Sequence, residues 1–235
     1  MDCMVGMKEI PDNYIDLVVT DPPYKVTSRG SSGNAGGMLK KEINKNGNVF
    51  KYNDISPTQY LPEFYRILKD SSHLYIMTNH INLQEILNTA INNGFHFIKS
   101  LIWNKGNKIM GQYYMSQFEY ILFFRKGTAK KINNCGTSDI LEVANKKSKN
   151  TNGENMHDTE KPIELMEILI NNSSNKNDIV LDPFVGVGSV AIACLNLNRR
   201  YVGFEIDKQY YDISLKRLEA CKNQMNIFRD CGVEI

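Results

Sequence analysis

Hydrophobic positions along this chain switch repeatedly between two rhythms. Ile15–Thr20 (IDLVVT) is short and almost continuously apolar, the pattern of a strand covered on both faces. Ser56, Pro57 and a glutamine three residues after the serine predict a capped helix over residues 57–69. Residues 74–78 read as the next strand. Asn82, Leu83, Gln84 and Glu85 repeat the capping logic, and Gly94 closes that second helix. Strands are expected at 95–103 and 118–125, with a loop at 106–114 between them.

From 127 to 158 the periodicity dissolves into Asn, Lys, Thr, Ser and Gly, the composition of an exposed insertion. Order then returns. Pro162 opens a helix through residue 170, DIVLD (178–182) is a strand, 188–197 is helical, 200–206 is a strand, and 208–223 is a last amphipathic helix. Strands alternating with helices predict an α/β fold, a doubly wound, mostly parallel sheet with one antiparallel strand expected at its edge. The 235 residues are expected to form a single domain, with a basic loop at about 25–52 and an insertion at about 127–158.

Composition narrows the class. No apolar run is long enough to cross a bilayer, and the opening MDCMVGMKEIPDN lacks the apolar core of a signal peptide, so no membrane partner is expected and the default location is the cytoplasm. Five cysteines form no CxxC, and four histidines add no ligand spacing, which supports neither a metal site nor a disulfide framework. A net charge of +2 says little, but its distribution says more. Residues 25–52 carry Lys25, Arg29, Lys40, Lys41, Lys45 and Lys51 against Glu42 alone. Residues 125–150 carry Arg125, Lys126, Lys130, Lys131, Lys146, Lys147 and Lys149 against Asp139 and Glu142. Solvated loops would look the same. Phosphate-contacting segments are the functional alternative.

After DIVLD comes Pro183-Phe184-Val185-Gly186-Val187-Gly188-Ser189 and then a helix. The glycines let the backbone turn tightly and let a ligand approach the main chain. Glu205, at the end of the following strand, can accept both hydroxyls of a ribose. Gly186, Gly188 and Ala191 also fit the spacing of a dinucleotide loop. Asp182 argues against a dinucleotide, because a carboxylate there would repel a pyrophosphate yet pair with the ammonium of an amino acid. Phe184 could present an aromatic face to a sulfonium cation. Those are the demands of S-adenosylmethionine.

The first strand ends in Asp21-Pro22-Pro23-Tyr24. An exocyclic base amine is a poor nucleophile because its lone pair is delocalised into the ring. Two acceptors would hold both its hydrogens while the nitrogen becomes tetrahedral; the Asp21 carboxylate can supply one and the Pro22 carbonyl the other. Proline fixes φ and has no N–H, so the turn is stiff and its carbonyl can be aimed at a ligand. Tyr24 offers a flat face for a base flipped out of a duplex. The plain alternative is an acidic proline turn with a surface tyrosine. His73, His80 and His96 have no partner spacing, and Tyr60, Phe64, Phe123, Phe124, Trp103, Tyr113 and Tyr114 are expected to pack in the core.

DPPY after an apolar strand, with DPFVGVGS and GFEID later in the chain, resembles the amino-methyltransferases that modify adenine N6 or cytosine N4 in DNA. The order of motifs resembles their permuted beta class. RILK (66–69), IWNKG (102–106), FEYILFFRKG (118–127) and HDTEKPIEL (157–165) extend the similarity over almost all of residues 2–217. The resemblance implies a Rossmann-like methyltransferase fold and catalytic Asp21, Pro22, Pro23 and Tyr24. It also implies that Asp182, Phe184, Gly186, Gly188, Ser189 and Glu205 lie around S-adenosylmethionine, with His157, Thr159 and Lys161 near its methionine end. DPPY favours adenine; cytosine N4, an RNA amine, or a catalytically silent DNA-binding module are the alternatives. Double-stranded DNA is the implied partner, with room for a homodimer and a cognate endonuclease. Family members carry a short strand before the segment matching Asp2-Cys3. Residues 225–229 could supply it, so either Asp2 or Asp230 would face the cofactor's adenine.

Overall fold

In the computed structural model, residues 1–23, 54–109, 113–145 and 160–230 are described, with backbone alone for 109 and 225–230. Tyr24, His157, Thr159, the basic stretch 25–52 and Lys146, Lys147 and Lys149 lie outside these residues.

The chain opens with helix α1 (Cys3–Lys8), capped by Asp2, whose Oδ1 accepts the Met4 N–H at 2.7 Å. Strand β1 (Ile15–Thr20) leads to helix α2 (Pro57–Ile67), where Pro57 stands in the first turn and Gln59 Oε1 accepts the Ser56 N–H at 2.8 Å, as the capping pattern predicts. Then come β2 (Leu68–Thr78), α3 (Leu83–Asn92), β3 (His96–Ile109), β4 (Ser116–Lys126), β5 (Ile140–Glu142), α4 (Ile163–Ser173), β6 (Ile179–Asp182), α5 (Ser189–Asn196), β7 (Arg200–Gly203) and α6 (Lys208–Asp230).

The seven strands form one sheet in the order β5-β3-β4-β2-β1-β6-β7. β1 runs parallel to β2 and β6, β6 to β7, and β3 to β5, while β4 is antiparallel to both β2 and β3. The antiparallel strand is therefore interior, not at the edge. The crossover through α3 leaves a gap between β2 and β3, and the hairpin from β3 turns β4 back into it.

Period-two alternation sorts the sheet's side chains into two cores. Leu74, Ile76, Leu122, Phe124, Ile179 and Leu181 join α1, α2 and α3 on one face. Leu17, Val19, Tyr75, Met77, Ile121, Phe123 and Val180 join α4 and α5 on the other. Removing such apolar surface from water contributes about 25 cal/mol per Å², and it is what holds the strands in register. No helix among the described residues is long and apolar enough to cross a membrane.

Three parts of the chain differ from the sequence pattern. The insertion is not wholly exposed: β5 pairs with β3, Leu141 and Val143 are buried, and the Trp103 indole donates to the Val143 carbonyl at 2.8 Å. Residues 225–229 continue α6 and do not form a strand, which removes the ground for placing Asp230 at the cofactor's adenine. Lys126 contacts no phosphate-binding surface: its ammonium is spent on the carbonyls of Tyr65 and Leu68, both at 2.6 Å, and on Asn13 Oδ1 at 2.8 Å. The aromatics divide. Trp103, Tyr60, Phe64, Phe123 and Phe124 are core, but Tyr113 and Tyr114 are 88% and 93% exposed.

Candidate active site

β1 and β6 are neighbours whose connections depart in opposite directions, to β2 on one side and to β7 on the other. In open α/β sheets the crevice beyond the carboxyl ends of such strands is where ligands bind. Both turns singled out in the sequence emerge there. Val18 stands opposite Leu181, so Thr20-Asp21-Pro22 and Asp182-Pro183-Phe184 leave the sheet side by side. The Thr20 hydroxyl donates to Asp182 Oδ1 at 2.9 Å and stitches the two turns together.

Asp182 is buried, and its Oδ1 also accepts the Phe184 N–H at 3.1 Å. Burial pushes its carboxyl up to about 7, the two hydrogen bonds oppose the rise, and the nearby Asp21 and Glu205 charges add to it. The loop beyond has the backbone that glycine permits. Gly186 has φ +53° with nothing within 4 Å of where a Cβ would stand, so its main chain faces open space; Gly188 has φ +87° and approaches Ser214. Ser189 begins α5 and is buried.

Glu205 lies just past β7, two residues beyond the strand's end. Its Oε2 accepts the Gly186 N–H at 2.7 Å and its Oε1 the Asp207 N–H at 2.8 Å. Both oxygens are thereby fixed in orientation, and each keeps a lone pair for a further donor. The Met1 amine donates to the Glu205 carbonyl at 2.6 Å, which sets Asp2 beside this end of the loop. Phe184 packs edge-on against Tyr60 with ring centroids 5.5 Å apart.

Asp21 is held from a direction the sequence did not suggest. Its Oδ2 pairs with the Lys161 ammonium, while Oδ1 is buried with no hydrogen-bond partner among the described residues. Burial raises its carboxyl above the ordinary range, Lys161 opposes this, and Glu119 adds to it. Lys161, expected near the cofactor's methionine end, thus stands against the aspartate of the first turn. Pro22 is buried beside it and Pro23 is half-buried. Glu160 reaches the other way: Arg217 of α6 donates to Glu160 Oε1 at 2.6 Å and to the Val187 carbonyl at 2.7 Å. The Glu160-Lys161 pair therefore ties the glycine loop to the proline turn. Glu119, Lys105, Thr20 and Arg217 all serve the site without having been singled out; FEYILFFRKG and IWNKG pointed towards Glu119 and Lys105 only as blocks.

A cavity of about 490 Å³ lies elsewhere, on the α4 face, lined by Tyr75, Phe123, Leu141, Leu169 and Asn172 among others. None of the residues of the two turns lines it, and the strand-end crevice remains the candidate site.

Comparison with known proteins supplies the family. A family model described as DNA methylase, of the N6/N4 type, matches residues 15–216. The chain belongs to the N6/N4 DNA methylase family. This methylase is 29% identical over its whole length to the type II methyltransferase M.HinfI of Haemophilus influenzae, covering 71% of that protein. Over 92% of its length it is 32% identical to M.HpaI of Haemophilus parainfluenzae, again covering 71% of the relative. Among solved structures, the M1.HpyAVI–SAM complex has a TM-score of 0.68 at 24% identity, with 92% of this chain and 96% of that one covered. The PvuII cytosine-N4-specific methyltransferase has a TM-score of 0.70 at 16% identity, with 95% and 90% covered. Both show the methylase fold. A DNA methylase takes its methyl group from S-adenosylmethionine, and the residues here fit that group: the open main chain at Gly186 and the doubly anchored Glu205 provide a cradle, and buried Asp182 provides an anion for a cation.

Proposed function

We propose that this methylase modifies the exocyclic N6 of an adenine flipped out of a specific short sequence in double-stranded DNA. The observation that carries the reading is Asp21 Oδ1: a buried carboxylate oxygen with no partner among the described residues, on the stiff turn adjoining the glycine loop. An orphaned acceptor in such a place costs free energy unless a ligand's donor completes it. An amine N–H is such a donor.

Asp21 orients the amine through Oδ1, the Pro22 carbonyl takes the second hydrogen, and Tyr24 stacks on the base. S-adenosylmethionine, when bound, supplies an activated methyl group. The amine nitrogen gains that methyl and loses one proton, which Asp21 is placed to receive before it passes to solvent. Asp182, Phe184, Gly186, Gly188, Ser189, Glu205 and Asp2 would hold the cofactor, with His157 and Thr159 completing its site. Because positive charge disappears as the methyl leaves sulfur, geometry contributes more than a strong base.

The type II names of the relatives support a cognate endonuclease. An insertion of about thirty residues between FEYILFFRKG and HDTEKPIEL is short for gripping a duplex alone, which supports a homodimer. A single domain and a cytoplasmic location, alongside the DNA, belong to the same reading. Incubation with labelled S-adenosylmethionine and duplex DNA, followed by nucleoside analysis, tests it. Labelled N6-methyladenine is the expected product; N4-methylcytosine would move the substrate to cytosine, and unlabelled DNA would leave a silent binding module.

A further inference from the structure

Four charged side chains from four parts of the chain meet beneath the end of β1. Lys161, in the segment before α4, pairs with Asp21 Oδ2 and lies 3.5 Å from Glu119 Oε2. Glu119, on β4, pairs through Oε1 with Lys105 of β3, whose ammonium also sits 5.2 Å from the Trp103 ring centre. The side chains of Lys161, Lys105 and Glu119 are only 8%, 11% and 18% exposed. Signs alternate along the ladder, so each buried charge has an opposite neighbour. Among the described residues, the charged groups facing Asp21 are Lys161, Glu119, Lys105 and Asp182. Those facing Glu119 are Lys161 and Lys105.

The ladder has direction. Lys105 fills one oxygen of Glu119, which leaves Oε2 without a hydrogen bond but facing the Lys161 ammonium across 3.5 Å; Lys161 in turn fills one oxygen of Asp21, which leaves Oδ1 over. We propose that Glu119 is a positioning residue for methyl transfer, holding Lys161 on Asp21 Oδ2 so that Oδ1 is the oxygen presented to the substrate amine. The inference rests on the assignment of Asp21 to that amine.

Glu119 could act on Asp21 in two ways, and their signs are opposite. As a bare negative charge it raises the Asp21 carboxyl, so its removal would make Asp21 easier to ionise. As the group that holds Lys161 it preserves the chief influence opposing burial, so its removal makes Asp21 harder to ionise. Burial would raise Glu119 itself, but Lys161 and Lys105 outweigh it and keep the carboxyl below its ordinary range, hence charged at neutral pH.

The test is single-turnover transfer from labelled S-adenosylmethionine to duplex DNA across pH, with the full chain, Glu119→Gln and Asp21→Asn, alongside cofactor affinity by equilibrium dialysis. Glu119→Gln is expected to lose about tenfold in rate at neutral pH and to move the acidic limb of the profile up by about one pH unit, with cofactor affinity unchanged. An acidic limb that stays put, or moves down, overturns the proposal. Should Glu119→Gln fail to fold, as judged by lost cofactor binding, Lys105→Gln takes its place, with the same upward shift expected and an unmoved limb counting against it. Asp21→Asn separates the two claims. Transfer retained there sinks the assignment of Asp21; transfer lost there, with an unmoved limb in Glu119→Gln, sinks only the role of Glu119.

Discussion

Single atoms decide most of the chemistry in this methylase. Asp21 divides its carboxylate between an internal cation and an empty direction, so Asp21→Asn should keep the shape and lose the acceptor. A fall of about 100-fold or more in single-turnover rate is expected, with cofactor affinity within about threefold of wild type. Asp182 links the cofactor to pH. Its folded value of about 7 stands above the ordinary 3.8, so between those pH values the folded protein keeps a proton that the unfolded chain has lost. Its contribution to stability therefore declines as pH rises through that window. A bound cation needs the ionised form, so affinity for S-adenosylmethionine should weaken below pH 7, by up to about tenfold per pH unit. Calorimetric titration at pH 5.5, 6.5 and 7.5 checks this; a flat profile would mean that Asp182 does not meet the cofactor's charge. The two turns were legible in the sequence because each combines a rare backbone residue with a carboxylate. Glu119, Lys105 and Arg217 were not, because their partners lie far off in the chain and only folding brings them together.

At the scale of elements, legibility followed local signals. β1, α2, α3 and β6 carry a cap, a closing glycine or unbroken apolar runs and stand where the pattern predicts, although Asn82, expected to cap α3, makes no side-chain cap hydrogen bond. β5 has only three residues and takes its identity from pairing with β3, which no periodicity reveals. The carboxyl-terminal part of α6 reads equally as strand or helix in its apolar content. The β3–β4 hairpin runs from the site to exposed aromatic rings. Lys105 and Glu119 place its base at the site, while Tyr113 and Tyr114 stand exposed near its tip. Replacing both tyrosines with alanine should leave thermal stability within about 0.5 kcal/mol and weaken duplex binding by about tenfold through lost base contacts. Unchanged DNA affinity would remove the hairpin from the interface.

The sheet has two rims, and the described basic residues that follow β4 fall at one of them. β4 runs against its neighbours, so Arg125 and Lys126, opposite His73 and Ser72, lie at the rim away from Asp21. The chain stays there through Lys130, whose carbonyl lies 3.1 Å from His73 Nε2, and through Asn133, which bonds the end of α4. β5 then carries it back alongside β3 to the site rim, and the described part of the insertion ends there at Asn145. Charge counted along the sequence has no sense of strand direction and cannot tell one rim from the other. Alanine at Lys146, Lys147 and Lys149 together is expected to weaken duplex binding and lower the salt slope by about 2 to 3. Alanine at Lys130 and Lys131 should change neither, and the reverse pattern in filter-binding titrations would place DNA on the wrong rim.

The proposed function turns on one contact, between Asp21 Oδ1, which has no hydrogen-bond partner among the described residues, and the amine of a flipped adenine. The most direct measurement is the crystal structure of the chain with a duplex carrying its target site and a non-reactive analogue of S-adenosylmethionine. Adenine N6 at about 3 Å from Asp21 Oδ1, with Lys161 still on Oδ2 and the analogue against Gly186, is the predicted result. A flipped base whose amine points away from Asp21, or an analogue bound elsewhere than the Gly186 loop, would contradict it.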